Sequence, residues 1–89
     1  PVTVVFEHFG KMRRYTPDFL VRCGGKPASL IEIKYRDDLQ EQWPRLRPAF
    51  LAARVWATEQ DMRFRIVTER AIRGERLNIA KRLLPLRSA

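Results

Sequence analysis

Apolar and polar side chains alternate at the start of the chain. Residues 2–9, VTVVFEHF, are rich in β-branched and aromatic residues, and their spacing predicts a β-strand. One face of that strand carries Val2, Val4, Phe6 and His8, and the other carries Val5, Glu7 and Phe9. Gly10 and Lys11 then mark a turn.

Two further extended segments follow this turn. RRYTP leads into DFLVRC as one extended segment that ends at Cys23, because the residue before a proline disfavours the helical region. GGKP (24–27) then breaks the chain, and SLIEIKY (29–35) is predicted to be a third strand. The opening of the chain is therefore predicted to be a three-stranded antiparallel meander.

The pattern becomes helical from Asp37, which is a candidate helix cap. Pro44 and Pro48 are expected to interrupt or restart the helix, and Pro48 is acceptable in a first turn. Phe50, Ala53 and Ala57 share one helix face. We expect that face to be widened into a largely buried helix by Leu51, Val55 and Trp56.

The end of the chain completes an α/β pattern. RFRIVTE (63–69) is predicted to be a fourth strand, and the preceding helix indicates a right-handed crossover that lays residues 63–68 parallel to a meander strand. In GERLNIAKRLLPL (74–86), the spacing of Leu77, Ala80 and Leu84 predicts a C-terminal helix. The predicted fold class is thus α/β: an antiparallel three-stranded meander followed by helix, strand and C-terminal helix.

Charge and cysteine content indicate which partners, metal sites and cellular compartment to expect. The chain has 18 Lys and Arg against 10 Asp and Glu, and its net charge of +8 favours nucleic acid as a partner, with solubility as the competing explanation. The single Cys23 excludes an intramolecular disulfide and a Cys-rich zinc site. No apolar run approaches the ~20 residues that cross a bilayer, and no leader is evident, so we expect a cytoplasmic protein without membrane contact.

Pairing the strands around GGKP brings three charged residues together. If the turn centres near residue 26, Asp18 lies across from Lys34, and Glu32 is a diagonal neighbour. Glu32 and Lys34 are two residues apart and therefore point to the same face. Pro17 ends or bends the strand before Asp18, so that its carboxylate can turn toward a site.

These side chains suit metal-dependent phosphodiester hydrolysis. Two carboxylates offer hard oxygen ligands to Mg²⁺, and an ammonium group can orient the nucleophile or offset charge on the phosphate. The alternative is a cross-strand ion pair of Asp18 with Lys34, contributing about 0.2–1 kcal/mol, with Glu32 as a solvent-facing strand residue.

The order of the motifs resembles a nuclease family. YTPDFLV, LIEIK, a helix, FRIVTERAIR and LNIAKRLL are together similar to the N-terminal catalytic domain of TnsA-like endonucleases, which are transposase subunits of the restriction-endonuclease-like PD-(D/E)xK superfamily. The similarity runs from about Arg14 to Leu84. It implies a restriction-endonuclease-like mixed sheet.

The resemblance also implies roles for the three charged residues. Asp18 and Glu32 would be ligands of Mg²⁺ or Mn²⁺, and Lys34 would be the catalytic lysine, so that Asp18, Glu32 and Lys34 are the predicted catalytic residues. The substrate implied is DNA at transposon ends, and the partners implied are a transposase subunit and a DNA-binding regulator. Such proteins belong to a prokaryotic, phage or mobile-element setting.

The family carries a further active-site glutamate on a helix before the first strand, and it continues into a second domain. No residue here matches that glutamate, since Glu7 lies in a predicted strand. Residues 1–89 are therefore expected to be a single PD-(D/E)xK nuclease-like domain without that helix and second domain. The alternatives are a non-catalytic nucleic-acid-binding or assembly module of the same fold, and a restriction, repair or phage-defence nuclease of the superfamily.

Four residues that flank the charged triad are candidate nucleic-acid contacts. Arg13 and Arg14 precede Asp18, and Tyr35 and Arg36 follow Lys34. A solvated basic face is the competing explanation for them.

Overall fold

The described part of the chain forms a four-stranded sheet, one long helix and a separate two-stranded ribbon. The computed structural model describes residues 2–22, 24–70 and 82–86. In chain order the elements are β1 (Val4–His8), β2 (Lys11–Tyr15), β3 (Phe19–Arg22), β4 (Ser29–Ile33), α1 (Arg36–Glu59), β5 (Arg63–Val67) and β6 (Arg82–Pro85). The α/β class predicted from the sequence is confirmed.

β1 and β2 form an antiparallel hairpin that we call the ribbon, residues 4–15. Its register pairs Val4 with Tyr15 at one end and His8 with Lys11 at the other, which leaves Phe9 and Gly10 as a two-residue turn. Along β1 the even-numbered residues are buried or half-buried and the odd-numbered ones are exposed, so the predicted two faces are confirmed. The ribbon therefore turns one face toward the rest of the chain.

The second sheet has the strand order β5-β4-β3-β6. β3 pairs antiparallel with β4, and β4 pairs parallel with β5 through the helical crossover. The prediction that residues 63–68 run parallel to an earlier strand is therefore confirmed for Arg63–Val67. β4 consequently lies between an antiparallel and a parallel neighbour, in the interior of the sheet.

The three-stranded meander is wrong, because β2 and β3 are separate strands in different sheets. Residues 16–18 break the extended segment, and Pro17 at its centre is fully buried. Proline has no backbone N–H to give to a ladder, so pairing stops there and restarts in the next sheet. The chain opens with two hairpins instead of one meander.

The predicted C-terminal helix is wrong for residues 82–85, which form β6 and pair with β3 along Phe19–Arg22. The part of that prediction at residues 71–81 lies outside the described residues. Without β6 the backbone of β3 would present an open edge, and pairing that edge outweighs the helical spacing of a short leucine-rich segment.

α1 runs unbroken for 24 residues with Pro44 and Pro48 inside it, so the predicted interruption is wrong. The N-cap is Tyr35 instead of Asp37, and Asp37 and Asp38 lie in the first turn. Each internal proline removes a helical hydrogen bond, so tertiary packing must hold the helix together.

That packing comes from one narrow face of α1. Phe50, Ala53 and Ala57 are buried, as their spacing predicted. Leu51 and Val55 are 44% and 59% exposed, so the expectation of a widely buried helix is wrong. Phe50 and Ala53 pack with Val4 and Tyr15 at the base of the ribbon, and Ala57 packs with Leu20 and Leu30 of the sheet. The helix thus joins the ribbon to the sheet.

Candidate active site

Asp18 lies immediately before β3, behind the buried Pro17. Its Oδ2 accepts a hydrogen bond of 2.9 Å from the backbone N–H of Ile33, and its backbone oxygen accepts one of 2.8 Å from Leu86 after β6. These bonds tie Asp18 to the ends of both neighbouring strands. Its carboxylate therefore contacts the amide that lies between Glu32 and Lys34 in the chain.

The register of the β3–β4 pair differs from the predicted one by two residues. Phe19 pairs with Ile31, so Asp18 lies level with Glu32, whereas the sequence placed it across from Lys34. Because the displacement is an even number of residues, it leaves every side chain on its predicted face. Asp18 and Glu32 are closer partners than the sequence suggested, and Lys34 becomes the diagonal neighbour.

Glu32 is a buried carboxylate, with 1% of its surface exposed. Its Oε1 accepts a 2.6 Å hydrogen bond from the Tyr15 hydroxyl, and its Oε2 lies 3.6 Å from the Lys34 Nζ. Burying a charged group costs several kcal/mol unless hydrogen bonds and an opposite charge offset the loss of water. The interpretation of Glu32 as a solvent-facing strand residue is therefore wrong.

Lys34 follows β4 directly and is held by its backbone as well as by its charge. Its N–H donates to the Val67 carbonyl at 3.1 Å, which extends the parallel pairing past the end of β4. The side chain is partly exposed, so the ammonium group reaches solvent beside the buried Glu32 carboxylate. Asp18, Glu32 and Lys34 thus come together at the carboxyl end of β4.

Tyr15 is part of this arrangement, although the sequence analysis did not single it out. It ends β2, and its ring packs edge-on against Phe50 at 5.6 Å and against Phe64 at 6.2 Å between centroids. The two aromatic contacts fix the ring, so the hydroxyl is held on one oxygen of Glu32. The bond to Glu32 spans 17 residues of sequence, and only the fold reveals it.

Glu69 is a second residue that the sequence analysis missed. Both of its carboxylate oxygens lie 3.1 Å from the backbone N of Arg36, the first residue of α1. The N-cap residue Tyr35 makes no side-chain capping bond, so Glu69 supplies that acceptor from beyond β5. This contact ties the end of β5 to the helix start, next to Lys34.

The donor set fits a magnesium or manganese ion better than a structural zinc. In the described part of the chain no three His, Cys, Asp or Glu side chains cluster in a way that could enclose a metal. Asp18 and Glu32 are two carboxylates level with each other, and Mg²⁺ characteristically takes one or two carboxylates and completes its shell with water and phosphate oxygens.

The predicted nucleic-acid contacts occupy two places. Arg13 and Arg14 are exposed on β2 and, as consecutive strand residues, they point to opposite faces of the ribbon. Tyr35 is 70% exposed, and Arg36 is half-buried at the first position of α1. Arg13 and Arg14 directly precede Tyr15 in β2, and Tyr35 and Arg36 directly follow Lys34. Contact of these four residues with DNA stays a prediction.

α1 is neither apolar enough nor free enough of charge to cross a bilayer, and no other described helix is a candidate.

Comparison with known proteins gives one family match. No curated protein and no solved structure shows significant similarity to this chain. The sequence pattern of the family described as TnsA-like endonuclease N terminal matches residues 2–69, which include the whole ribbon, both carboxylates, Lys34, α1 and β5. The match covers most of the 89 residues. The chain therefore belongs to the TnsA-like endonuclease N-terminal family, and its domain is nuclease-related.

Proposed function

We propose that this domain is a metal-dependent DNA endonuclease in which Asp18 and Glu32 hold Mg²⁺ or Mn²⁺ and Lys34 assists phosphodiester hydrolysis. One observation carries the proposal: a buried carboxylate, a strand-end carboxylate and an ammonium group converge at the end of β4 in a nuclease-family chain. A purely structural role would not require a charged pair at an interior strand of so small a sheet.

Each residue has a distinct part in this reaction. Water attacks phosphorus and gives up a proton to solvent as the new P–O bond forms, while the P–O bond to the leaving oxygen breaks and that oxygen takes up a proton from solvent. Asp18 and Glu32 would present oxygen ligands from two neighbouring strands, and the bound cation would supply positive charge against the developing charge on the phosphate. Lys34, held beside Glu32, would donate hydrogen bonds from its ammonium group to the attacking water or to a phosphate oxygen.

Tyr15 acts in this proposal as a positioning residue. Its hydroxyl holds Oε1 of Glu32, which leaves Oε2 on the side of Lys34. A carboxylate fixed at one oxygen loses less rotamer entropy when it binds a cation through the other. Tyr15 is thus expected to lower the metal concentration that the site requires.

The finer substrate and partners follow from the family. We propose DNA at transposon ends as the substrate, and a transposase subunit and a regulator as partners in a cytoplasmic reaction. The positive charge of the chain favours any DNA substrate and does not select among them.

The test is Mg²⁺-dependent nicking of supercoiled plasmid by the full-length protein and its partners. Asp18→Asn and Lys34→Ala should each lower the nicking rate by about 10²–10³-fold, since each removes one group that stabilises transition-state charge. Lys26→Ala is the matched control, because Lys26 is an exposed lysine in the loop between β3 and β4. Nicking that is undiminished in both site variants would sink the assignment.

Calorimetric titration of Mn²⁺ into the same proteins gives a second readout. Wild type and Lys26→Ala should bind the ion, and Asp18→Asn should bind it at least tenfold more weakly, because one of two carboxylate charges is lost. A module that only binds nucleic acid would instead bind DNA in a salt-dependent way with no response to metal or to Asp18→Asn.

A further inference from the structure

The tip of the ribbon carries an aromatic residue in a conformation that such residues avoid. Phe9 is 92% exposed and has a φ of 51°, and the next residue, Gly10, has a φ of 74°. Positive φ at both central residues of a two-residue hairpin loop defines a type I′ turn, where Asn, Asp and Gly are favoured. The other positive-φ residue that is not glycine, among those described, is Asp61, a residue type that tolerates this region.

Contacts within the described part of the chain do little to offset the strain at Phe9. The ring contact that the structure shows for Phe9 is with its neighbour His8, at 4.3 Å between centroids. A bulky residue at positive φ destabilises the turn, and an exposed phenyl ring gains almost no burial. A strained, exposed aromatic side chain at a turn therefore points to a contact outside the chain.

The surroundings of Phe9 favour nucleic acid as the partner, because nucleic acid combines a negatively charged backbone with bases that have flat, apolar faces. Lys11, Arg13 and Arg14 of β2 are all exposed, whereas β1 contributes the single acidic residue Glu7. A two-stranded β-ribbon is narrow enough to enter a groove of duplex DNA. Phe is among the side chains that proteins insert between base pairs, with basic residues on the flanking phosphates.

The base of the ribbon connects the tip to the candidate active site. Tyr15 at the end of β2 bonds Glu32, and the tip lies about 15 Å further along the strands at roughly 3.3 Å per residue. This length corresponds to about four or five base pairs along a duplex, at roughly 3.4 Å for each pair. The ribbon can therefore reach DNA whose scissile phosphate lies at Asp18 and Glu32.

We propose that the ribbon tip is a DNA-distorting contact in which Phe9 stacks on or between bases within about five base pairs of the scissile phosphate. Lys11 and Arg13 hold the adjacent backbone. This inference rests on the proposed nuclease function for the position of the phosphate, and it adds a way in which the domain unstacks its substrate. A protein partner is the competing occupant of the same tip.

The experiment uses the full-length protein, EDTA, and a fluorescein-labelled 30-base-pair duplex with 2-aminopurine at single positions. Wild type should raise 2-aminopurine fluorescence at one or two neighbouring positions, because unstacking relieves quenching. Phe9→Asn should abolish that rise and weaken DNA binding by about tenfold, whereas Phe9→Tyr should keep both. Phe9→Asn should also raise the Tm by about 4–8 °C, since asparagine suits the turn.

Val55→Ala is the control, because Val55 is an exposed apolar side chain on α1 that lies beside Val4 and Val5 at the base of the ribbon and not at its tip. It should change neither DNA affinity nor the fluorescence rise. The inference is overturned if Phe9→Asn binds DNA as wild type does, or if no position in the duplex responds to wild type. It is equally overturned if Phe9→Asn disrupts only self-association or partner binding in analytical ultracentrifugation.

Failure of the proposed nuclease function would leave a different result. In that case Asp18→Asn would nick DNA as wild type does, while the Phe9-dependent fluorescence rise would remain. Asp18→Asn that is inactive in nicking, with Phe9→Asn unchanged in both DNA assays, would overturn the ribbon contact alone.

Discussion

The two hairpins, β3–β4 and the ribbon, differ in how their side chains are held in place. The β3–β4 hairpin lies inside the four-stranded sheet, where its strands have a neighbour on each side and Leu30 and Glu32 are fully buried. Among the described strands, β1 and β2 of the ribbon pair only with each other, and burial decreases from Val4 and Tyr15 at the base of the ribbon to Phe9 at its tip. Packing fixes the side chains of the first hairpin, whereas turn geometry alone fixes the tip of the second.

Because of this difference, the two hairpins suit different roles. A site that aligns charged groups to fractions of an ångström needs residues locked by neighbours, as Glu32 is by Tyr15 and Lys34. A surface that meets a large partner needs exposed side chains on an element that stands apart from the core. Tyr15 connects the two regions directly, because it belongs to the ribbon and its hydroxyl donates a hydrogen bond to Glu32.

The largest expected difference between the two hairpins is in how much a substitution lowers the free energy of unfolding. Leu30→Ala removes a fully buried side chain from the interior strand β4, so it should lower the free energy of unfolding by about 2–5 kcal/mol. Val5→Ala, at an exposed position of the ribbon, should change it by no more than about 0.5 kcal/mol. Urea denaturation followed by circular dichroism measures both, and equal losses would contradict the contrast between the hairpins.

Tyr15→Phe tests the link between the two regions. The variant keeps the ring contacts with Phe50 and Phe64 but leaves Oε1 of Glu32 without the hydroxyl, which should cost about 1–3 kcal/mol of unfolding free energy. The Mg²⁺ concentration for half-maximal nicking should rise by about tenfold, because Glu32 is no longer held in place.

The Mg²⁺ concentration that the Tyr15 variants need for nicking shows whether Tyr15 positions Glu32 or only stabilises the fold. Tyr15→Leu, which also removes the ring, should lose more stability than Tyr15→Phe, with a metal requirement raised by a similar factor. If Tyr15→Phe loses stability while its metal requirement stays at the wild-type value, the tyrosine is structural only and the two hairpins are independent.

Local pattern was enough to predict most of the elements. Alternation identified β1 and its inner face, and helical spacing identified Phe50, Ala53 and Ala57 as the buried residues of α1. The parallel pairing of β5 followed from the length of the crossover. The buried faces of β1 and α1 follow from the spacing of neighbouring residues, and the crossover between β4 and β5 restricts how those two strands can pair, so both kinds of feature could be predicted from the sequence.

Features that depend on distant partners were missed or displaced. The loop between β3 and β4 allows more than one turn centre, so the register was wrong by two residues, although the faces were kept. The strand β6 and the continuity of α1 through two prolines both depend on tertiary pairing or packing. The contacts of Tyr15 with Glu32 and of Glu69 with Arg36 span 17 and 33 residues. The roles of Asp18, Glu32 and Lys34 stay predictions that the geometry suits.

The smallest effect expected concerns Glu69, which accepts a hydrogen bond from the backbone N–H of Arg36 at the start of α1. Glu69→Ala removes the acceptor of the Arg36 N–H and a negative charge from the positive end of the helix dipole, so the free energy of unfolding should fall by about 1 kcal/mol. Glu59→Ala is the control of opposite sign, because Glu59 is the last residue of α1, and no basic residue lies in that last turn. Removing an acid from the negative end should raise the same free energy by about 0.3–1 kcal/mol. Urea titrations of the two variants at low ionic strength measure the signs, and a loss in both would show that Glu69 acts through general surface charge instead of capping the helix beside Lys34.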